Sequence, residues 1–160
     1  MLFRSGDEVD ARIINTSSPS GIYGNVGQTN YGAAKAGIAA FTIISSMELA
    51  RYGVTVNAIA PAALTRMTEN LGMGQATDEM KEQMSPKWIA PIITWLASGE
   101  SKAVTGRVFD ISGQALSVSE GWHRGPTVTP VMDPTLMGPL VEQLVAEARP
   151  NADMSGRDRT

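Results

Sequence analysis

Cysteine is absent from these 160 residues, and histidine occurs once, at His123. The first absence excludes disulfides and thiolate metal sites; the second excludes a multi-histidine metal centre. Basic charge is not in excess either. The 13 lysines and arginines are outnumbered by 16 aspartates and glutamates, so the electrostatic footprint that nucleic acid or an acidic membrane surface demands is missing. No stretch reaches about 18 uninterrupted apolar residues. The opening MLFRSGDEVD carries acids where a signal peptide needs a basic start and an apolar run. These absences lead us to expect a soluble, cytoplasmic protein that acts on a small molecule and has no nucleic-acid or membrane partner. The apolar content of 42% suffices for one core in a chain of this length.

What is present has a regular order. Arg12 to Thr16 (RIINT) is a β-favouring run that ends in the turn-forming residues Ser17, Ser18, Pro19, Ser20 and Gly21, which predicts a strand leading into a loop. From about Gln28 to Arg51 there is no proline, alanine is abundant, and Ile38, Phe41, Ile44, Met47 and Leu49 recur at mostly helical spacing; a long helix follows. Tyr52 and Gly53 can end it, and Val54 to Ala60 (VTVNAIA) is a second β-branched run closed by Pro61. Met67 to Met84 is polar and methionine-rich, which suits a helical flap. Ser85-Pro86 pairs a capping serine with a first-position proline, and Pro91 should kink the following helix or mark its true beginning. Gly106 to Ser112 (GRVFDIS) reads as a third buried strand.

The pattern β, α, β, α, β predicts an α/β fold, a partial parallel sheet with helical crossovers. Ser117 to Pro134 reads as loop, Thr135 to Arg149 as a short amphipathic helix, and Asn151 to Thr160 as a frayed polar tail. We therefore divide the chain into 1–113, holding the sheet, and 114–160, an extension with a short helix and polar tail.

Tyr31 and Lys35 lie four positions apart near the start of the long helix, so their side chains leave one face a turn apart. A free tyrosine, with a pKa of about 10, is a poor proton donor or acceptor at neutral pH, and lowering that value by about 3 units takes roughly 4 kcal/mol of preference for phenolate. One positive charge about 4 Å away supplies roughly that amount at an effective dielectric near 20. Alone, such a pair describes many solvated helix faces. Ser18 changes the weighing: it sits on the loop leaving the preceding strand, where its hydroxyl can reach a substrate oxygen. Strand ends are where open parallel sheets place their ligand crevice.

The segment NTSSPSGIYGNVGQTNYGAAKAG, Asn15 to Gly37, closely resembles the active-site stretch of short-chain dehydrogenases/reductases, with a serine 13 positions before the tyrosine of Tyr-x-x-x-Lys. ELARYGVTVNAIAP, Glu48 to Pro61, resembles the family's next helix end and strand, and VTGRVFDISG, Val104 to Gly113, resembles its last strand. The resemblance implies the last three strands of a doubly wound, Rossmann-type sheet. It also implies a catalytic set of Ser18, Tyr31 and Lys35. Ser18 would hold the substrate oxygen, Tyr31 would exchange a proton with it, and Lys35 would lower the tyrosine pKa and bind the nicotinamide ribose of NAD or NADP. Asn15 would anchor the strand end. Pro61, Ala62, Leu64 and Thr65 fall where the family runs along the nicotinamide.

There are departures. Pro61-Ala62 stands where the family usually has Pro-Gly, and PAALTRMT looks more like the dehydrogenase units of multifunctional β-oxidation enzymes and related hydroxysteroid or hydroxyacyl-CoA dehydrogenases than like carrier-protein reductases. No glycine-rich dinucleotide fingerprint follows a first strand. The resemblance thus implies an NAD(P)-dependent oxidoreductase that interconverts a secondary alcohol and a ketone and forms homo-oligomers when complete. The alternative is a non-catalytic fragment that retains a folding or oligomerisation surface, with an open strand edge where a further strand would pair. Other candidates have plainer explanations. His123 fits a surface role in a glycine-rich tail. Glu69, Asp78, Glu79 and Glu82 fit a solvated helix face, and we assign no metal. Met67, Met73, Met80 and Met84 suit a lid or core filling equally. Phe41 and Ile44 on the long helix suit either a subunit contact or burial within the domain.

Overall fold

The structure, a computed structural model, describes residues 9–65 and 77–159. It forms two compact units that divide between Glu120 and Gly121.

The first unit is built on a sheet of four strands in the order β1 (Ala11–Thr16), β2 (Val54–Ala62), β3 (Val108–Ser112) and β4 (Ala115–Ser119). The first three run parallel; β4 runs antiparallel to β3. The sheet is therefore not purely parallel, and β4 corrects the expectation of loop from Ser117 onward. Ser112 pairs with Ala115, leaving a two-residue turn of Gly113 and Gln114. Gly113 has φ 52°, the left-handed geometry that a tight hairpin assigns to glycine. The alternation of Leu116 and Val118 with Ser117 and Ser119 carried this signal, but its apolar side chains stay about half exposed, so no buried run marked it.

The central strand β2 is buried from Val54 to Ala60, as expected of a strand flanked on both sides in the sheet and covered on its faces. Ala58, Ala60 and Val108 form the core cluster, with Ile22 and Ala39 packed on it. The crossover from β1 to β2 contains α1 (Pro19–Ile22) and α2 (Thr29–Leu49), followed by a 3₁₀ turn at Ala50–Tyr52 that Gly53 ends at φ 72°. By length and composition, Thr29–Tyr52 could cross a membrane; here it packs along β1 and β2.

The face that α2 turns inward is polar, so of the two readings of Phe41 and Ile44 burial within the domain does not hold. Thr42, Ser45 and Ser46 are buried, whereas Phe41, Ile44 and Met47 are half or more exposed. The inward hydroxyls donate to carbonyls of their own helix, at Ile38, Phe41 and Ile43, so they can be buried without loss. Small side chains are needed there because the spacing is close: a Cβ on Gly106 would stand 2.7 Å from the Ser46 Oγ.

The crossover from β2 to β3 holds α3 (Asp78–Gln83), a 3₁₀ turn at Pro86–Trp88 capped by Ser85, and α4 (Ala90–Ala97). Pro91 lies in the first turn of α4 and so marks the helix's beginning. Leu96 of α4 is fully buried. Of the acidic and methionine candidates in this region, Met67, Glu69 and Met73 lie outside the described residues. Asp78 and Glu82 pair with Lys81 and Lys87.

In the second unit, α5 spans Met137–Glu147 after a 3₁₀ turn at Pro134–Leu136. The tail is not frayed. The Asp153 carboxylate accepts from the backbone N–H groups of Ser155 and Arg157, Ala152 bridges Asp158, and Arg149 pairs with Asp158 at 2.7 Å. One aspartate thus organises a turn that polar composition alone did not reveal.

Candidate active site

Ser18 lies where β1 gives way to α1. Its backbone is extended, its hydroxyl accepts from the Ser20 N–H at 3.2 Å, and Pro19 occupies the first helical position. The segment expected to be loop is thus one helical turn. Its Ser-Pro start is a usable sign of a helix beginning, but four residues are too few for a period.

This turn lies directly on α2. A Cβ on Gly21 would stand 2.6 Å from both the Lys35 carbonyl carbon and the Ala36 nitrogen, and one on Gly32 would stand 3.1 Å from the Ser20 oxygen. Two glycines therefore let the turn capped by Ser18 touch the helix that carries Tyr31 and Lys35. Sequence reasoning did not single them out, although a glycine inside a helical run, as at Gly32, is a usable sign of close approach.

Three successive residues at the end of β1 grip the same helix. Asn15 Nδ2 donates to Thr42 Oγ1 at 2.9 Å, which fits the anchoring role expected for it. Lys35 Nζ donates to the Thr16 carbonyl at 2.9 Å, and Ser17 Oγ donates to the Lys35 carbonyl at 2.7 Å. Lys35 Nζ also stands 5.7 Å from the centroid of the Tyr31 ring, within cation–π range. Tyr31 itself is 44% exposed.

The second group of candidates sits at the same end of the sheet. Thr16 pairs with Ile59, and β2 continues past it, with Pro61 beside Ile111 and Ala62 beside Ser112. The Gly113 N–H donates to the Ala62 carbonyl at 3.4 Å, and the Leu64 N–H donates to the Met84 carbonyl at 2.9 Å. Pro61, Ala62, Leu64 and Thr65 thus leave the carboxyl end of a central strand, the edge where such sheets hold ligands. Thr65 is the last described residue before 66–76.

A further polar cluster joins α1 to the hairpin. Tyr23, which caps the end of α1, places its hydroxyl 3.3 Å from Ser119 Oγ and is hydrogen-bonded to Asp110 of β3. Burial lifts the Asp110 carboxyl above its ordinary value of 3.8, with the Tyr23 hydrogen bond opposing. Burial likewise raises the Tyr23 phenol above 10.0; the Ser119 hydrogen bond opposes this and Asp110 adds to it. Nothing local in the sequence marks this cluster, because it joins residues far apart in the chain. His123 lies in the second unit.

A hydroxyl, a phenol and an ammonium at the open end of a parallel sheet suit proton exchange with a bound oxygen. The family model described as enoyl-(acyl carrier protein) reductase matches residues 2–114. The chain belongs to the short-chain dehydrogenase/reductase family. A hydroxyacyl-CoA dehydrogenase of Mycobacterium tuberculosis is 36% identical over 159 residues, covering 96% of this chain and 50% of the relative. The crystal structure of a short-chain dehydrogenase from Mycobacterium avium superposes with a TM-score of 0.80 at 47% identity, covering 94% of this chain and 50% of that one. Another, from Mycobacterium paratuberculosis and bound to NAD, gives a TM-score of 0.52 at 27% identity over 64% of this chain and 44% of that one. This family member therefore spans about half the length of the relatives it matches.

Proposed function

We propose that this chain is the catalytic half of an NAD(P)-dependent oxidoreductase that interconverts a secondary alcohol and a ketone, with a 3-hydroxyacyl thioester or hydroxysteroid as substrate. The observation that carries the reading is the Lys35 ammonium, fixed to the Thr16 carbonyl at the strand end and facing the ring of an accessible Tyr31. NAD or NADP would supply the hydride. Pro61, Ala62, Leu64 and Thr65 would line the nicotinamide; their position at and beyond the carboxyl end of β2, the edge where such sheets hold ligands, supports this. Ser18 would hold the substrate oxygen, Tyr31 would carry the proton to or from it, and Lys35 would stabilise charge on the tyrosine oxygen and bind the ribose. The thioester preference draws on the hydroxyacyl-CoA dehydrogenase among the relatives, and the nicotinamide on the NAD-bound neighbour. The exposed Phe41, Ile44 and Met47 of α2 suit a homo-oligomeric contact, and the same reading places the enzyme in the cytoplasm.

A second reading is favoured by one observation: among the described residues no strand pairs with the outer edge of β1, in a chain that covers half or less of the relatives it matches. On that reading the piece folds but does not bind cofactor. Titration of the 160-residue chain with NADH and NADPH, followed by nicotinamide fluorescence, separates the two. Saturable binding that Lys35→Ala abolishes supports the catalytic reading; binding indifferent to Lys35→Ala removes Lys35 from the cofactor site. No binding by either protein favours the second reading.

A further inference from the structure

We infer that Ser17, a residue with no role in the proton exchange itself, is a positioning residue for Lys35. The inference rests on the catalytic reading of Lys35 for its importance, but not for its geometry.

Lys35 is held at both ends by consecutive residues of one strand end. Its ammonium donates to the Thr16 carbonyl at 2.9 Å, and its own carbonyl accepts from the Ser17 hydroxyl at 2.7 Å. A carbonyl within a helix has a second lone pair after serving the ladder, so the Ser17 bond adds to the helix without competing with it. Ser17 is itself immobile: it is 2% exposed, and its N–H donates to the Ile59 carbonyl of β2 at 2.7 Å. The grip on Lys35 is thereby referred to the central strand, the one that carries Pro61 and Ala62. From another side, Gly21 of α1 abuts the same Lys35 peptide, leaving no room for a Cβ.

Lysine has a long, flexible stem whose head group is hard to place. Fixing only the ammonium leaves the stem free to follow any shift of the helix. Fixing the main chain as well determines where the ammonium stands relative to Tyr31, one turn earlier. The Asn15 to Thr42 bond ties the same strand to the same helix at another turn, and provides a control of similar burial that does not touch Lys35.

The test is competitive acylation of the four lysines, Lys35, Lys81, Lys87 and Lys102, with trace acetic anhydride. It would be read by peptide mass spectrometry in the full 160-residue chain. In Ser17→Ala, the reactivity of Lys35 relative to the other three should rise about fivefold, the equilibrium equivalent of one neutral hydrogen bond. Ser17→Cys fills the same space with a weak donor and should show the same direction, which guards against a folding defect in the alanine variant. Thr42→Val should leave Lys35 unchanged. Unaltered Lys35 reactivity in both Ser17 variants overturns the inference, as does an equal rise in Thr42→Val, which would show general loosening of α2. The readout uses no cofactor or substrate, so it can fail or succeed separately from the fluorescence titration of Lys35→Ala.

Discussion

The two units of this chain spend their residues differently. In the first, β2 is buried along seven consecutive positions, and Asn57 within it is bonded on both sides of its amide, which donates to the Val104 carbonyl at 2.8 Å and accepts from the Arg107 N–H at 3.1 Å. In the second, α5 has no buried residue, and order comes from aspartate side chains that bond the backbone beside them. One unit is held by what it excludes from water, the other by short-range polar turns. A catalytic constellation needs the first kind of support, because its members must keep their places. All the catalytic and cofactor candidates lie in it.

The comparison is most sharply tested by truncating one aliphatic residue in each unit. Leu96→Ala, at a fully buried site, should cost about 2–5 kcal/mol. Val145→Ala, on α5 where the side chain is 69% exposed, should stay within about 0.5 kcal/mol. Urea unfolding followed by circular dichroism measures both, and similar losses would show that the second unit is as dependent on burial as the first.

A smaller but more local effect is expected at the contact between α1 and α2. Gly21→Ala puts a methyl group against the Lys35 and Ala36 main chain and should cost about 1–3 kcal/mol, as overpacking does. The amides of residues 31–36 should exchange hydrogen faster, while those of α5 keep their rates. Unchanged exchange across 31–36 would mean that the two helices separate without disturbing the Tyr31 and Lys35 turn.

The smallest effects are those of pH, and they should have opposite signs in the two units. Burial raises Asp110 in the folded state, so its contribution is full below the unfolded value near 3.8 and is lost as pH rises through the raised folded value. Asp110→Asn should therefore flatten a decline in stability that sets in as pH rises above about 4. The Asp153 carboxyl is held below its ordinary value by the Ser155 hydroxyl first and then by backbone N–H groups. Its contribution is present above the ordinary value and lost as pH falls through the lowered one. Asp153→Asn should remove acid sensitivity from amide exchange at 153–157 and leave the sheet untouched. The same pH slope in both variants would contradict the assignment.

Much of this was legible in the chain. The β-branched runs marked β1, β2 and β3 because each is short and bounded by turn residues. Tyr31 and Lys35 were legible because helical spacing fixes their shared face. Ser18 was legible as the hydroxyl beyond the first strand, though not as the cap of a helical turn. The inward face of α2 was not legible, because a helix set close to a strand of alanines buries threonine and serine, and the hydrophobic period then points outward. β4 went unseen because its apolar residues are half exposed, and Asp110 with Tyr23 went unseen because no local pattern joins positions so distant.

Composition and period thus determined the alternation of strands and helices, since backbone geometry repeats within a few residues and leaves its mark on neighbours. The tertiary structure alone decided which hydroxyl meets which carbonyl: that Ser17 holds the Lys35 main chain, that Thr16 holds its ammonium, and that two glycines allow α1 to lie on α2. Those contacts depend on distances between segments, and distance between segments is set only when the core closes.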